Sequence, residues 1–467
     1  MDYIKRISEI VESKKELFTF ISDEIWGSAE LKFEEYTSAN LLCKTLEKEG
    51  FNVEKNIGSM ETAFIGSFGQ GKPVIAILGE FDALYGLSQV AGATFQKPII
   101  EGGAGHGCGH HLLGAGALGA AIALKYYLAE NNLSGTIRYY GCPGEEGGFG
   151  KTFLVRDGVF DGVDCAFTWH PGTKNSVHNS SMLANYNIYY RFKGKSSHAA
   201  VAPQLGRSAL DALELMNVGV NYLREHIIQE ARIHYAITNT GGKSPNVVQA
   251  ESEEYLSIRT PKTHQIREIY ERVCDIAKGA ALMTGTTVDY QLDSAVSSLI
   301  PNKTLGKIMY RNYYELGIPV YDNEDYKISE AFSNILSNVA KKSVPKELVG
   351  KTLSDILEPF AETEGIEMAS TDVGDVSCIV PTAFCWVACA ANGTPLHSWE
   401  MVAQGKTPIA HKGLLHAAKV IAATAVRILM NPEVLIEAKE ELKERLGDEG
   451  YICPISMEVK PSKTGKC

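Results

Sequence analysis

Four short stretches of this chain carry residues able to do chemistry. The first is His106-Gly-Cys108-Gly-His110-His111. Thiolate and imidazole suit divalent ions such as Zn, and the glycines let the backbone bend so that side chains two apart converge. The second is Glu145-Glu146 inside Pro143-Gly-Glu-Glu-Gly-Gly. One such carboxylate can ligate a metal while its neighbour serves as a base, with its proton affinity set by that local charge. The third is Trp169-His170-Pro171 and the fourth Gly393-Thr-Pro-Leu-His397-Ser398-Trp399, each a histidine following an apolar run. Taken singly, each has a bland alternative: a buried thiol beside a helix cap, a solvated acidic turn, or a packed histidine at a strand end. Taken together, Cys108, His110, Glu146, His170 and His397 offer five ligands, more than the three of a single catalytic zinc. Five suit two ions about 3.5–4 Å apart that share one bridging group and a water. Glu145 can then take that water's proton, which is the equipment for hydrolysing an amide. Cys108 as a nucleophile with His110 as its base is a competing reading. It leaves Glu145, Glu146 and His397 without a task. A metal-binding protein without catalysis is a third. The chain has no G-x-S-x-G elbow and no Walker loop, so serine-hydrolase and NTPase readings have no support.

The elements that must position these residues are legible as alternating strands and helices. VIAILGEFD is nearly all apolar up to its acidic end, as a central strand covered on both faces would be. A glycine-rich stretch and a small-residue helix over about 112–130 follow. Strands over 136–140 and 165–169 each end in one of the chemical stretches, the pattern of an α/β layer with its function at the strand ends. After about Ala184 the pattern changes. Strands over 185–192, 232–239 and 286–291, an extended run over 244–260, and helices over 207–225 and 264–283 give the order βαββαβ. That order predicts a small inserted layer with an antiparallel sheet. Further on, 383–391 reads as a strand and 412–430 as a long helix. The stretch 321–367 is polar and has no clear assignment.

Length and composition exclude several classes. A chain of 467 residues with 45% hydrophobic and 22% charged residues is globular rather than disordered, and long enough for two or three domains. The net charge of −11 argues against a general affinity for nucleic acid or anionic membranes. The charged N-terminus lacks the features of a secretory signal, and the sequence shows no run of about 18 apolar residues, so no membrane span is expected. Ten cysteines without a C-x-x-C pair read as mostly reduced thiols of a cytoplasmic protein.

The elements GHGCGH, PGEEGG, TWHP and GTPLHSW resemble the metallopeptidase M20 family in its aminoacylase/amidohydrolase branch. Segments such as YGCPGEEGGFGKTF, HYAITNTGGKSPNVVQA and ASTDVGDVS extend the resemblance over about residues 20–455. It implies a catalytic α/β domain with a mixed central sheet, split between 1–184 and 299–467. Residues 185–298 would form a lid and dimerisation domain with a four-stranded antiparallel sheet and two helices. It implies that Cys108, His110, Glu146, His170 and His397 bind two divalent ions, Mn or Zn, with Glu145 as general base and then acid. It implies that His198, in Ser197-His198-Ala199-Ala200, reaches an active site across a dimer and stabilises the oxyanion. Asn246 and Arg259 fall where relatives contact substrate, with Arg207 and Lys243 weaker candidates. The implied substrate is an N-acyl amino acid with an aromatic acyl side, such as p-aminobenzoyl-glutamate. Another conjugate, such as a dipeptide or an N-acetyl or indole-acetyl amino acid, is the alternative. The implied partner is a second copy or a related A subunit, with neither nucleic acid nor membrane. Two departures stand out. His111 occupies a place where many members carry Asp, which could alter the surroundings of His110 or the pocket wall. Glu80-Phe81-Asp82 replaces a His-x-Asp, so Asp82 is expected to orient a ligand rather than bind the metal, while Glu80 is open to either role. His106, His411 and His416 are read as packing residues or supports behind the ligands.

Overall fold

The computed structural model describes residues 2–342, 344–448 and 450–463. Six strands of its main sheet come first: β1 (Asn52–Lys55), β2 (Phe64–Gln70), β3 (Val74–Glu80), β4 (Gly135–Cys142), β5 (Cys165–Gly172) and β6 (Ser176–Val177). β7 (Ser180–Met182) follows. Then β8 (Ala184–Lys193), β9 (Arg232–Asn239), β10 (Glu251–Thr260) and β11 (Thr287–Val296) form a separate antiparallel sheet in the order β11-β8-β10-β9. β12 (Gly365–Glu367) pairs in parallel with β7, and β13 (Thr382–Ala388) returns to the main sheet, whose order is β1-β2-β4-β3-β5-β13-β6.

The four central neighbours β4, β3, β5 and β13 run parallel, so their C-terminal ends share one edge. Every chemical stretch leaves from that edge. β3 ends at Glu80, β4 leads into Pro143–Glu146, β5 carries His170, and β13 precedes the loop to His397. β3 and β13 are buried at every position, which explains their continuous apolar sequences. The helices His110–Asn131 and Pro408–Met430 cover one face. Both are long and apolar enough by length and composition to cross a membrane, yet both are mostly buried inside the protein. Their apolar surface is spent on the sheet and on each other. Small residues allow the close approach: a Cβ at Gly114 would come within 2.6 Å of the Glu80 carbonyl oxygen. That contact seats the start of the helix, and with it His110, against the end of β3.

A second apolar cluster continues from the other face of the sheet (Leu78, Tyr140, Phe153) into the separate layer (Ile188, Leu256, Met216). The layer's helices, Ala209–Leu223 and Thr263–Thr284, lie on one face of its sheet. Alternation along β10 buries Leu256, Ile258 and Thr260 and turns Tyr255, Ser257 and Arg259 the other way. In register, Asn187 faces Ser257 and Asn185 faces Arg259. These five line the main pocket.

Several boundaries differ from the sequence reading. Of the extended run over 244–260, only Glu251–Thr260 is a strand. β11 runs on to Val296, past a register shift between Leu292 and Ser294. The polar stretch 321–367 holds a capped helix, Asn323–Ile335, and ends in β12. No disulfide joins the nine described cysteines, all of which are free.

Candidate metal centre and pocket

Cys108 lies where two sets of ligands meet. Its Sγ is within 4.8 Å of donor atoms of His110 and His170, and separately of Glu146 and His397. A third set joins Glu80, His110 and Glu145. The loop geometry is specific. Gly109 caps the helix at φ +80°, and His397, at φ +57°, is held by its N–H donating to the Gly107 carbonyl at 2.8 Å. A non-glycine residue in the left-handed region persists only where its surroundings over-determine it.

The histidine tautomers follow from their partners, because a carbonyl or carboxylate can only accept. His110 Nδ1–H donates to Asp82 Oδ1 at 2.8 Å, and His170 Nδ1–H donates to the Pro171 carbonyl at 2.7 Å. Each ring thereby turns Nε2 towards Cys108, and for His170 that distance is 3.4 Å. His110 Nε2 and Glu146 Oε1 are buried and make no well-formed hydrogen bond, although Glu80 Oε2 lies 3.3 Å from the first and His397 Nε2 3.0 Å from the second. Imidazole nitrogens and carboxylate oxygens converging on a thiol at these distances are the donor set of a divalent ion, so the residues fit the group. Asp82 supports both sets, since its Oδ2 accepts from the Glu146 N–H at 2.8 Å.

Electrostatics separate the two adjacent carboxylates. Burial, then the charges of Glu80, Asp372 and Glu146, hold Glu145 well above the usual carboxylate range. Burial also works against Glu146, but His397, 3.0 Å away, and His110 outweigh it and hold it low. Burial, then Glu146, raises the Cys108 thiol.

Behind the ligands lies a buried charge cluster that the sequence reading missed. Lys151 Nζ sits 2.6 Å from Glu80 Oε1 and 2.6 Å from Asp372 Oδ1. Glu80 turns its other oxygen to His110 Nε2 at 3.3 Å. Burial disfavours the charge on Lys151, but Asp372 and Glu80 hold its pKa well up, while burial pushes Asp372 up to about 6. A lysine on the buried side of the short helix Gly150–Arg156 was the available signal.

The pocket above these groups has a volume of about 440 Å³. Its floor is Cys108, Glu145, Glu146, His170 and His397. One wall is aromatic, with Phe384 and Trp386, whose ring lies 4.7 Å from that of His170. The inserted layer contributes Arg259, whose Nε is buried without a partner.

Residues 76–400, more than half of the chain, match the family described as Peptidase family M20/M25/M40. The chain belongs to this family. As an M20 peptidase it is a hydrolase of amide bonds. It is 48% identical over 471 residues to the B-type chain of the p-aminobenzoyl-glutamate hydrolase of Escherichia coli (strain K12), covering 98% of each chain. It is 26% identical to the Xaa-Arg dipeptidase of Mus musculus, over 95% of this chain and 93% of the relative. Its fold matches that of a putative aminohydrolase from methicillin-resistant Staphylococcus aureus. There the TM-score is 0.65 and the identity 19%, over 91% of this chain and 99% of the other.

Within this M20 chain, other candidates fall elsewhere. His198 and Asn246 are exposed and do not line the pocket, but they lie together. The Ala199 N–H donates to the Asn246 carbonyl at 2.9 Å, and His198 bridges to Val247. Arg207 and Lys243 do not line the pocket either. His111 is buried off the pocket wall and donates from Nε2 to the Gly405 carbonyl at 3.0 Å. His106 and His411 bond Ile25 and Asp23, and His416 packs on Tyr313.

Proposed function

We propose that the chain cleaves p-aminobenzoyl-glutamate into p-aminobenzoate and glutamate. The observation that carries this reading is the pocket: a sulfur, nitrogen and carboxylate floor, an aromatic wall and a half-buried arginine whose Nε has no partner. The 48% identity to a hydrolase named for that substrate supports it.

Cys108, His110, His170, Glu146 and His397 would hold two divalent ions, Mn or Zn, with Cys108 shared between the sets. Ions bound there supply Lewis acidity, which makes a water nucleophilic at neutral pH. Glu145 takes the proton of the attacking water on its carboxylate. The C–N bond then breaks, and Glu145 returns the proton to the leaving nitrogen. Arg259 pairs with a substrate carboxylate, and Phe384 and Trp386 receive the aromatic acyl group.

His198 is assigned to the oxyanion of a neighbouring protomer. Its Nδ1 accepts from the N–H groups of Ala200 and Val201 at 3.3 and 3.2 Å, so the proton sits on Nε2, free to donate outward. Residues 185–298 act as the lid and dimerisation domain. The partner is a second copy or a related A subunit, since the relatives include both kinds of chain of one hydrolase. Asn246 contributes alongside His198. A reducing cytoplasm keeps Cys108 available as a ligand.

The test is elemental analysis of the purified chain followed by turnover of p-aminobenzoyl-glutamate, a dipeptide and an N-acetyl amino acid, with and without added Mn or Zn. Two ions per chain and preference for the first substrate are expected. Preference for the dipeptide would overturn the substrate assignment, and two bound ions with no turnover would make this a non-catalytic protein.

A further inference from the structure

A second cavity, of about 530 Å³, lies at the junction between the inserted layer and the body. The layer contributes Lys262, His264 and Arg267, and the body contributes Arg445. In a chain of net charge −11 this is an unusual concentration of cations. Glu364 is the only acid among the described lining residues, and Arg445 already engages it at 2.6 Å. Neither Lys262 nor Arg267 forms an ion pair among the described residues.

Two further observations point to an anion. The helix Thr263–Thr284 opens into the cavity, and its first turn holds no acid to balance the positive end of its dipole. Ser297, only 1% exposed, also lines the cavity, and its hydroxyl makes no well-formed hydrogen bond, although the Asp375 carboxylate that accepts its backbone N–H at 3.1 Å lies beside it.

We propose that this cavity binds a small oxyanion, phosphate or a dicarboxylate, and that occupancy tunes the neighbouring active site. The two cavities share a wall. In the β7–β12 ribbon, Ser181 and Ile366 line the basic cavity, while the next pair, Met182 and Glu367, lines the catalytic pocket. The strand β10 also connects them, with Arg259 in the catalytic pocket and Lys262 three residues on in the basic one. An anion that pulls on Lys262 and Arg267 therefore acts on the position of Arg259. The expected signature is a change in KM rather than in kcat.

Calorimetric titration of the full chain with inorganic phosphate, and separately with glutarate, tests this at constant ionic strength and without substrate, so the outcome does not depend on the proposed reaction. Saturable binding of one anion per chain is expected, weakened at least about tenfold by the pair Lys262→Ala and Arg267→Ala. Binding of phosphate alone assigns a phosphoryl ligand, and binding of glutarate alone a carboxylate ligand. Lys262 is exposed, so Lys262→Ala alone supplies the comparison should the pair unfold. Retention of binding in Arg259→Ala is expected, because that residue faces the other cavity. No saturable binding of either anion, equal binding by wild type and the pair, or loss in Arg259→Ala alone would each overturn the proposal. An unchanged KM with the anion bound overturns the coupling.

Discussion

Asp82 shows how much a single side chain organises here. One of its oxygens fixes the tautomer of His110 and the other holds the Glu146 N–H. Asp82→Asn is expected to weaken metal binding about 10–100-fold, read by competition with a chelator. Glu145→Gln keeps both ions and lowers kcat by about 10²–10⁴-fold. Retained turnover with full metal occupancy would remove Glu145 from the mechanism. The cluster behind the ligands is a different case. Lys151→Met leaves Glu80 and Asp372 buried without a cation, which costs about 3–5 kcal/mol and is measured by denaturant unfolding. The five candidate ligands, which the structure brings together, were legible because their types and spacing are rare. Lys151 and Asp372 were not, because a lysine and an aspartate 221 positions apart carry no mark of their pairing.

The inserted layer places Arg259 through simple alternation, yet it also buries a carboxylate. Glu254 lies on the covered face of β10, fully buried beneath a helix that offers Asn217. Burial pushes its pKa up to about 7, with Asn217 pulling slightly the other way. The unfolded chain loses this proton near the ordinary glutamate value, so between that value and about 7 the native state binds more protons than the unfolded state. Stability therefore falls as pH rises through that window. Glu254→Gln is expected to stabilise the protein by up to about 3 kcal/mol at pH 8 and to do little at pH 5, compared by thermal unfolding at both. A glutamate in a strand of alternating burial reads as solvent-facing from composition alone. Its real face follows from the register that pairs it with Tyr190.

At the scale of the whole molecule, His198 lies away from the pocket of its own chain. Its distance from this chain's pocket is accounted for if it serves a partner. Mixing two inactive variants, Glu145→Gln and His198→Ala, should restore turnover in mixed dimers, because one site then holds an intact Glu145 and receives an intact His198. Mixtures that stay inactive would place His198 at its own chain's site, and full turnover by His198→Ala alone would place it outside the reaction. The sequence by itself determined the layer class, the change of pattern near Ala184 and the five candidate ligands, since burial periodicity and metal-ligand chemistry are local properties written in residue order. Only the tertiary structure decided that Cys108 joins two ligand sets and that Lys151 holds Glu80 and Asp372. It alone turned Arg259 into the pocket while leaving Asn246 outside. The two helices apolar enough for a membrane likewise proved to be core. Each of these depends on the parallel strand order and on the register between β8 and β10, pairings of distant segments that no local pattern encodes.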